Sequence, residues 1–298
     1  MAFVAQLLGL LMSRLKQIAL LAALLPVMAV AQDFDFMRQS EVTVGGGVMN
    51  YIGDLNNQSV VSPLHGAVAI GMRTRLDNRW SLRLDMAYGR VSCDKDYIVR
   101  RNLSFRSDIF ELAATAEFNF RPFGPGATEG VWTPYLFGGI GVFHYNPQAL
   151  YTDSDGGRMW VDLQPLHTEG QATSLYPERR PYALLQLCMP FGVGVKWRVN
   201  KTFSLTAEYG FRKTWTDYLD DVSTTYVDGA LLKSEVDDGA MAAYMADRSG
   251  EVEPGYVNAP GIKRGDDSLK DWYAFVRVAI GVNMETLFGW MRPKRCKL

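Results

Sequence analysis

Cysteine is scarce in this chain. Its 298 residues hold three, Cys93, Cys188 and Cys296, with no C-x-x-C pair. That is too few and too scattered for a disulfide framework, a zinc site or a redox centre. Histidine is equally rare: His65, His144 and His167 are the whole supply for acid–base or metal chemistry at neutral pH. Neither sign of charge is in excess, since 31 Lys plus Arg against 32 Asp plus Glu leave a net charge of -1. Nothing electrostatic therefore points to a nucleic-acid partner. Long hydrophobic runs are missing too. The longest, Ile18 to Ala31, falls short of the roughly 20 residues that a spanning helix needs. A mean hydropathy of -0.07 likewise excludes a helical membrane bundle. Yet 48% hydrophobic and 12% aromatic residues are too many for a disordered chain. A folded protein remains, either soluble or a membrane β-barrel.

The apolar run near the start has the layout of a secretory signal. Arg14 and Lys16 precede it, and Ala29-Val30-Ala31 closes it as an A-x-A cleavage site. Residues 1–31 are expected to be a leader, with mature protein from Gln32; Met12 would start a leader of more usual length.

Beyond the leader, alternation with a period of two dominates. Trp80, Leu82, Leu84, Met86 and Tyr88 interleave with Ser81, Arg83, Asp85 and Ala87, the pattern of a strand with one apolar face. Similar runs predict eight strands, over 42–51, 65–75, 80–91, 107–120, 133–145, 187–199, 202–213 and 271–283. The alanine-rich 107–120 is the one most easily mistaken for a helix. Glycines at 45–47, 138–141 and 192–194 suit strands whose inner face is crowded.

The connections between these strands alternate long and short, apart from a near tie between those after the first and fourth strands. Asp77-Asn78 and Asn200-Lys201 read as tight turns. A soluble lipocalin-like barrel has no reason to put all its long loops at one end. An outer-membrane barrel does, with short periplasmic turns, long external loops and an even strand count. The expected fold is therefore all-β: an eight-stranded antiparallel transmembrane barrel in the cell outer membrane. One domain covers 32–290, with external loops at 146–186 and 214–270 and a basic periplasmic tail at 291–298. Aromatic girdles are expected from Trp80, Phe120, Phe123, Trp132, Trp197 and Phe203 at the short-turn end, and from Tyr88, Tyr145, Trp215 and Trp272 at the other.

A barrel of eight strands is only wide enough to be filled by its own side chains, so the lumen should be a packed polar core and not a channel. The residues expected there are Arg73, Arg83, Asp85, Glu111, Glu117, Lys196, Glu208, Arg212 and Arg277, with both signs in near balance. Buried pairing explains them better than an ion path does. Catalysis has little to work with, although two of the histidines lie near external strand ends where a Ser or Asp could join them. The acidic pieces at 153–156, 220–221 and 237–239 lack the spacing of a calcium loop and read as solvated loop acid. No enzyme activity, metal, cofactor, nucleic acid or small-molecule substrate is expected; membrane lipid is.

Five stretches, taken in order, resemble the PorG-type outer-membrane barrels of the Bacteroidetes, a family associated with the type IX secretion system. They run from Glu41 to Leu55, from Phe105 through Glu117 to Phe120, from Thr133 to His144, from Leu166 to Gln171, and from Glu208-Tyr-Gly-Phe-Arg212 into Thr216-Asp-Tyr-Leu-Asp-Asp-Val-Ser223. The resemblance implies a non-enzymatic barrel that anchors the periplasmic ring subunits of the secretion system, a lipoprotein and its partner, to the outer membrane. In one departure from many outer-membrane barrels, the chain continues past Phe288 and Trp290 into a basic end with Arg292, Lys294, Arg295 and Lys297. The alternative is a general surface barrel, an adhesin or envelope stabiliser, suggested by the tyrosines and Trp160 of the long loops.

Overall fold

The period-two runs close on themselves. In the computed structural model, which describes residues 34–56, 63–94, 96, 98–124, 130–153 and 155–288, the wall consists of β1 (Ser40–Ile52), β2 (His65–Arg75), β3 (Trp80–Cys93), β4 (Phe105–Asn119), β5 (Trp132–His144), β8 (Leu185–Arg198), β9 (Phe203–Thr214) and β10 (Trp272–Asn283). All are antiparallel, in the order β3-β2-β1-β10-β9-β8-β5-β4, and a β3–β4 pairing completes the circle. The expected eight-stranded barrel is therefore the observed one. Its strand ends lie close to those read from the sequence; β4, for example, begins at Phe105 where 107 was expected. The expected leader and the basic tail lie outside the described residues.

One face of every strand is aliphatic and exposed. Val68, Ile140 and Val278 are 60%, 73% and 58% exposed, while their inward neighbours Ala69, Gly141 and Ala279 are buried. A soluble protein would not leave such a continuous wall in water; a hydrocarbon layer is the solvent that it fits. Trp80, Phe120, Trp132, Trp197 and Phe203 are exposed at one end and Tyr88 and Trp215 at the other. Two girdle residues depart from expectation. Tyr145 is fully buried, because it continues the inward face of β5, and Phe123 lines the barrel mouth.

The strand period also explains the glycines of β1. A Cβ on Gly47 would come within 1.9 Å of the Val276 carbonyl oxygen, and one on Gly45 within 2.5 Å of that of Val278. The close approach of β1 to β10 therefore requires glycine at both positions.

Both tight turns use the same device. Asp77 Oδ1 accepts from the Arg79 and Trp80 amides at 2.6 and 2.7 Å, and Asn200 Oδ1 accepts from those of Thr202 and Phe203, both at 2.8 Å. The short connections share an end with α1 (Phe34–Gln39) and α4 (Met284–Phe288), the end that outer-membrane barrels as a class turn toward the periplasm. Cysteines placed at Asp153 or Asp238 should accordingly react with an impermeant thiol reagent on whole cells. Cysteines at Asn78 or Lys201 should not, and the reverse pattern would invert the orientation.

The long external loops are folded. The 146–186 segment contains two strands that the sequence reading did not anticipate, β6 (Pro147–Thr152) and β7 (Arg158–Asp162), a hairpin continuing the sheet at the top of β4 through Arg106 and Ser107. The 214–270 segment carries α2 (Gly229–Glu235) and α3 (Gly239–Ala246), each N-capped by an aspartate, Asp228 or Asp238. Leu163, Leu166, Val227, Leu232, Ala242 and Met245 give these loops a core of their own.

Candidate functional site

All nine expected lumen residues point inward and are buried. Strand register brings them together: Arg73 faces Arg83 across β2–β3, and Arg277 faces Glu208 across β9–β10. Glu117 is one hub, with Arg73 Nε at 2.8 Å, Arg83 Nη1 at 2.5 Å and Lys196 Nζ at 2.5 Å. Glu208 is the other; it accepts from Arg83, from Tyr135 Oη and from Arg277 Nε. Asp85 ties the two arginines together, with Arg83 Nε at 2.6 Å and Arg277 Nη2 at 3.0 Å. One layer higher, Glu111 accepts from Arg212 Nε at 3.0 Å and from Tyr273 Oη at 2.7 Å.

The sequence reading missed Glu41, which Arg73 and Ser204 engage. With it the network has five cations (Arg73, Arg83, Lys196, Arg212, Arg277) and five acids (Glu41, Asp85, Glu111, Glu117, Glu208). Balanced and hydrogen-bonded burial of this kind is tolerable in a low-dielectric interior, where an unpaired charge is not. Its ion pairs reach across the barrel, from β3 to β9 and from β4 to β8, and so brace the wall from within.

The expectation of a polar lumen throughout needs correcting. Above Glu111 the inward residues become apolar, with Met49, Phe105, Ile109, Phe143 and Phe275 forming one cluster with Leu219 and Val222 of the long 214–270 loop. The barrel is therefore stoppered by hydrophobic contact between its upper wall and its own loop.

Above that stopper sits a buried polar cap, and here the reading of Asp220-Asp221 as solvated acid is overturned. Both are 1% exposed. Asp221 accepts from Thr168 Oγ1 at 2.5 Å and from Tyr182 Oη at 2.7 Å. Glu169 accepts the Ser223 and Thr224 amides, both at 2.9 Å, as well as the Thr224 hydroxyl at 2.6 Å and Arg264 Nη1 at 2.9 Å. Tyr51 Oη lies 2.6 Å from Asp220 Oδ2 and 3.0 Å from Asp271 Oδ1. A hydroxyl has one hydrogen to donate, so satisfying both contacts requires one carboxyl to hold a proton. Consistently, burial pushes both carboxyls well above the usual range, and for Asp271 the neighbouring Asp220 adds to the shift. Among the described residues no cluster of three or more His, Cys, Asp or Glu could hold a metal.

Burial likewise pushes Asp217 up to about 7, despite the hydrogen bond it accepts from Ser223 Oγ at 2.6 Å and despite Lys270. The folded cap then binds a proton that the unfolded loop releases. Through this group, stability falls as pH rises from 3.8 toward about 7 and is constant above that. Limited proteolysis of the 214–270 loop is expected to be several-fold faster at pH 8 than at pH 5, and Asp217→Asn should flatten that dependence.

The histidines are dispersed. His144 is exposed on the outer wall, and His167 lies in the left-handed region (φ 49°) next to the short turn Gln164–Leu166. His65 does meet a serine, with Nε2 2.7 Å from Ser92 Oγ, but the nearby Asp94 bonds to that same hydroxyl at 3.2 Å. A hydrolytic triad needs the acid on the far nitrogen of the imidazole, where it orients the base. Among the described residues, Cys93 and Cys188 are buried and in no disulfide, and Cys93 Sγ donates to the Leu55 carbonyl at 3.3 Å.

A family model described as a domain of unknown function, DUF6089, matches residues 18–159. No curated protein matches the sequence. Among solved structures, the chain is similar to the attachment invasion locus protein Ail of Yersinia pestis in complex with the heparin analogue sucrose octasulfate (9% identity, 82% of this chain and 96% of that one, TM-score 0.36). It is also similar to Neisserial surface protein A (12%, 82% and 97%, 0.37) and to OprG of Pseudomonas aeruginosa (8%, 84% and 100%, 0.37). The closed sheet, the aliphatic outer wall and the aromatic girdles make this chain an outer-membrane β-barrel.

Proposed function

We propose that this barrel is a non-enzymatic component of the type IX protein secretion system that anchors the periplasmic ring subunits to the outer membrane. The observation that carries the reading is where the five family-like stretches converge. Glu41 and Tyr51 come from the first, Glu111 and Glu117 from the second, Tyr135 and Phe143 from the third, Glu169 from the fourth, and Glu208, Arg212 and Asp221 from the fifth. They supply the lumen network, the stopper and the cap. Pieces scattered through the sequence thus form one device, a filled and capped barrel. What such a barrel offers is a rigid fixed point in the membrane.

The test is recovery of the periplasmic ring complex from crosslinked envelopes. Deleting residues 32–39, or replacing 124–130 with a tight hairpin, should weaken ring recovery and secretion while the barrel stays in the membrane. Shortening the 214–270 loop should matter less to the ring. Normal recovery and secretion with both periplasmic variants would overturn the docking role.

A surface-barrel role has its own observation. On the β6–β7 hairpin, Met159 and Trp160 are 56% and 40% exposed, with Arg106 stacked 3.6 Å from the indole. Most other loop aromatics pack inward or on each other, as in the Tyr145–Tyr182–Tyr218 stack and the Tyr151–Tyr244 pair.

A further inference from the structure

Above its upper girdle the outer wall turns cationic on one side. Arg90 of β3 and Arg106 of β4 point outward just beyond Tyr88 and Phe110, and the β6–β7 hairpin carries the same face upward. Residues directly opposite each other in a sheet share a face, so Gln148, Leu150, Trp160 and Arg158 follow Arg106 outward. Ala149, Tyr151 and Val161 turn the other way, into the core of the loops. Height follows from the strand period. Phe118 packs on the lower girdle residue Trp80, with ring centroids 5.0 Å apart. Arg106 lies twelve residues above Phe118 on β4. At about 3.3 Å per residue and a tilt of about 40°, that is roughly 30 Å across the membrane. Arg106 therefore clears an apolar band about 25 Å tall and stands among the headgroups of the external leaflet.

The acids of this face are already occupied. Asp108 takes Arg90 in a two-pronged pair, 2.5 Å from Nε and 3.2 Å from Nη2, and accepts from Tyr88 Oη at 3.2 Å. Asp162, at the foot of β7, accepts from Asn146 Nδ2 at 3.0 Å and from Gln148 Nε2 at 2.7 Å. Arg106 stacks 3.6 Å from the Trp160 ring and donates its Nε to Gln148 Oε1 at 3.1 Å, so its Nη groups have no acceptor among the described residues. Arg158 is exposed and has no ion pair among them.

We infer that this face binds the phosphorylated saccharide headgroup of a lipopolysaccharide-type glycolipid in the external leaflet, whose acyl chains lie on the aliphatic wall below. A guanidinium held flat by an indole presents its free edge as a fork, and that fork matches a phosphate in shape as well as charge. Arg158 lies two residues from Trp160 on β7, on the side away from the membrane. That step is about 7 Å. A phosphodiester headgroup would reach only Arg106, whereas a phosphorylated sugar chain spans both arginines. Phe110, Leu112 and Val142, exposed beneath Arg106, give the acyl chains their surface. The assignment is independent of the docking role, which uses the other end of the barrel, and it gives Trp160 a use other than contact with another surface.

The test uses the purified full-length barrel in detergent and fluorescently labelled rough-type lipopolysaccharide. Saturable binding is expected. Arg106→Gln should weaken it about tenfold and Arg158→Gln about threefold, both with the heat-modifiable mobility of a folded barrel. Arg106→Lys, which keeps the charge and loses the fork, should fall between the unmodified barrel and Arg106→Gln. Arg100→Gln, which removes an external cation already paired with Glu253 at 3.1 Å, should leave binding unchanged. The same lipopolysaccharide stripped of its phosphates should bind about tenfold more weakly or worse. Should Arg106→Gln fail to insert, Arg158→Gln, on the exposed strand β7, still decides the matter. Absence of saturable binding, undiminished binding by the glutamine variants, or equal binding of the stripped lipid would overturn the proposal. Competition by phosphatidylglycerol or by inorganic phosphate as effective as that by unlabelled lipopolysaccharide would overturn it as well, assigning the face to any anionic phospholipid or to a free anion.

Discussion

Glu208→Ala is expected to destabilise the barrel by about 3–5 kcal/mol, the range for breaking a buried ion pair by removing one partner. The carboxylate accepts from Arg83, Arg277 and Tyr135 at once. Its loss leaves two guanidinium groups, each about 3% exposed, with Asp85 and Glu117 as their remaining acids. Arg83→Ala should cost a similar amount, because it strands Glu117 and Glu208 from the other side. Leu84→Val, one position along the same strand but facing outward, should cost about 1 kcal/mol or less. The midpoint of the heat-modifiable gel shift measures all three. If Glu208→Ala and Arg83→Ala leave that midpoint where it is, the lumen charges do not brace the wall.

A second large effect is expected from Glu169→Ala, and it should be local. Glu169 receives two backbone amides, a threonine hydroxyl and Arg264, joining the 164–173 stretch to the 217–224 stretch. Removing it leaves Arg264, 2% exposed, with the carbonyls of Ala246 and Asp221 and, as its nearest remaining acid, the Asp221 carboxylate at 3.6 Å. A penalty of about 3–5 kcal/mol is the scale for such a loss. It should appear as rapid protease nicking within 214–270, because the cap packs on the barrel mouth without belonging to the wall. The gel shift of the barrel should move far less. A nicking rate equal to that of the unmodified chain would show that the loops are held by their apolar core alone.

The wall was legible in the sequence because a strand half in lipid and half in a packed lumen writes its environment into every second residue. Even the alanine-rich 107–120 obeyed that rule, since Ile109, Glu111, Ala113, Thr115 and Glu117 all face inward in β4. Where the reading slipped, the same rule had the answer. Tyr145 shares the inward parity of Phe143, so it belonged to the stopper and not to a girdle. Glu41 lay just before the first residue assigned to β1, where no alternation had yet been established. The cap was not legible. Its contacts join residues 39 to 53 positions apart in segments without periodicity, and nothing local to an Asp-Asp pair in a loop announces that a tyrosine, a threonine and an arginine will close over it. The β6–β7 hairpin was missed for a simpler reason: its strands are short, and the acidic piece at 153–156 that turns between them read as solvated loop acid. Asp153 Oδ1 in fact accepts the Asp155 and Gly157 amides at 2.9 and 2.7 Å.

The balanced lumen network also bears on how the barrel reaches one alignment of its strands. Its ten charges come from seven of the eight wall strands, all except β5. Sliding any of those seven past its neighbour by one residue would exchange its two faces, turning a charge toward hydrocarbon and an aliphatic side chain into the lumen. A charge on the lipid face of a barrel costs about 2–4 kcal/mol near mid-membrane, and the partners left behind in the lumen would cost more. Misaligned closures are therefore penalised twice over, on almost every seam. The same charges that brace the wall act during insertion as a proofreading code, under which the barrel can close in one register and no other.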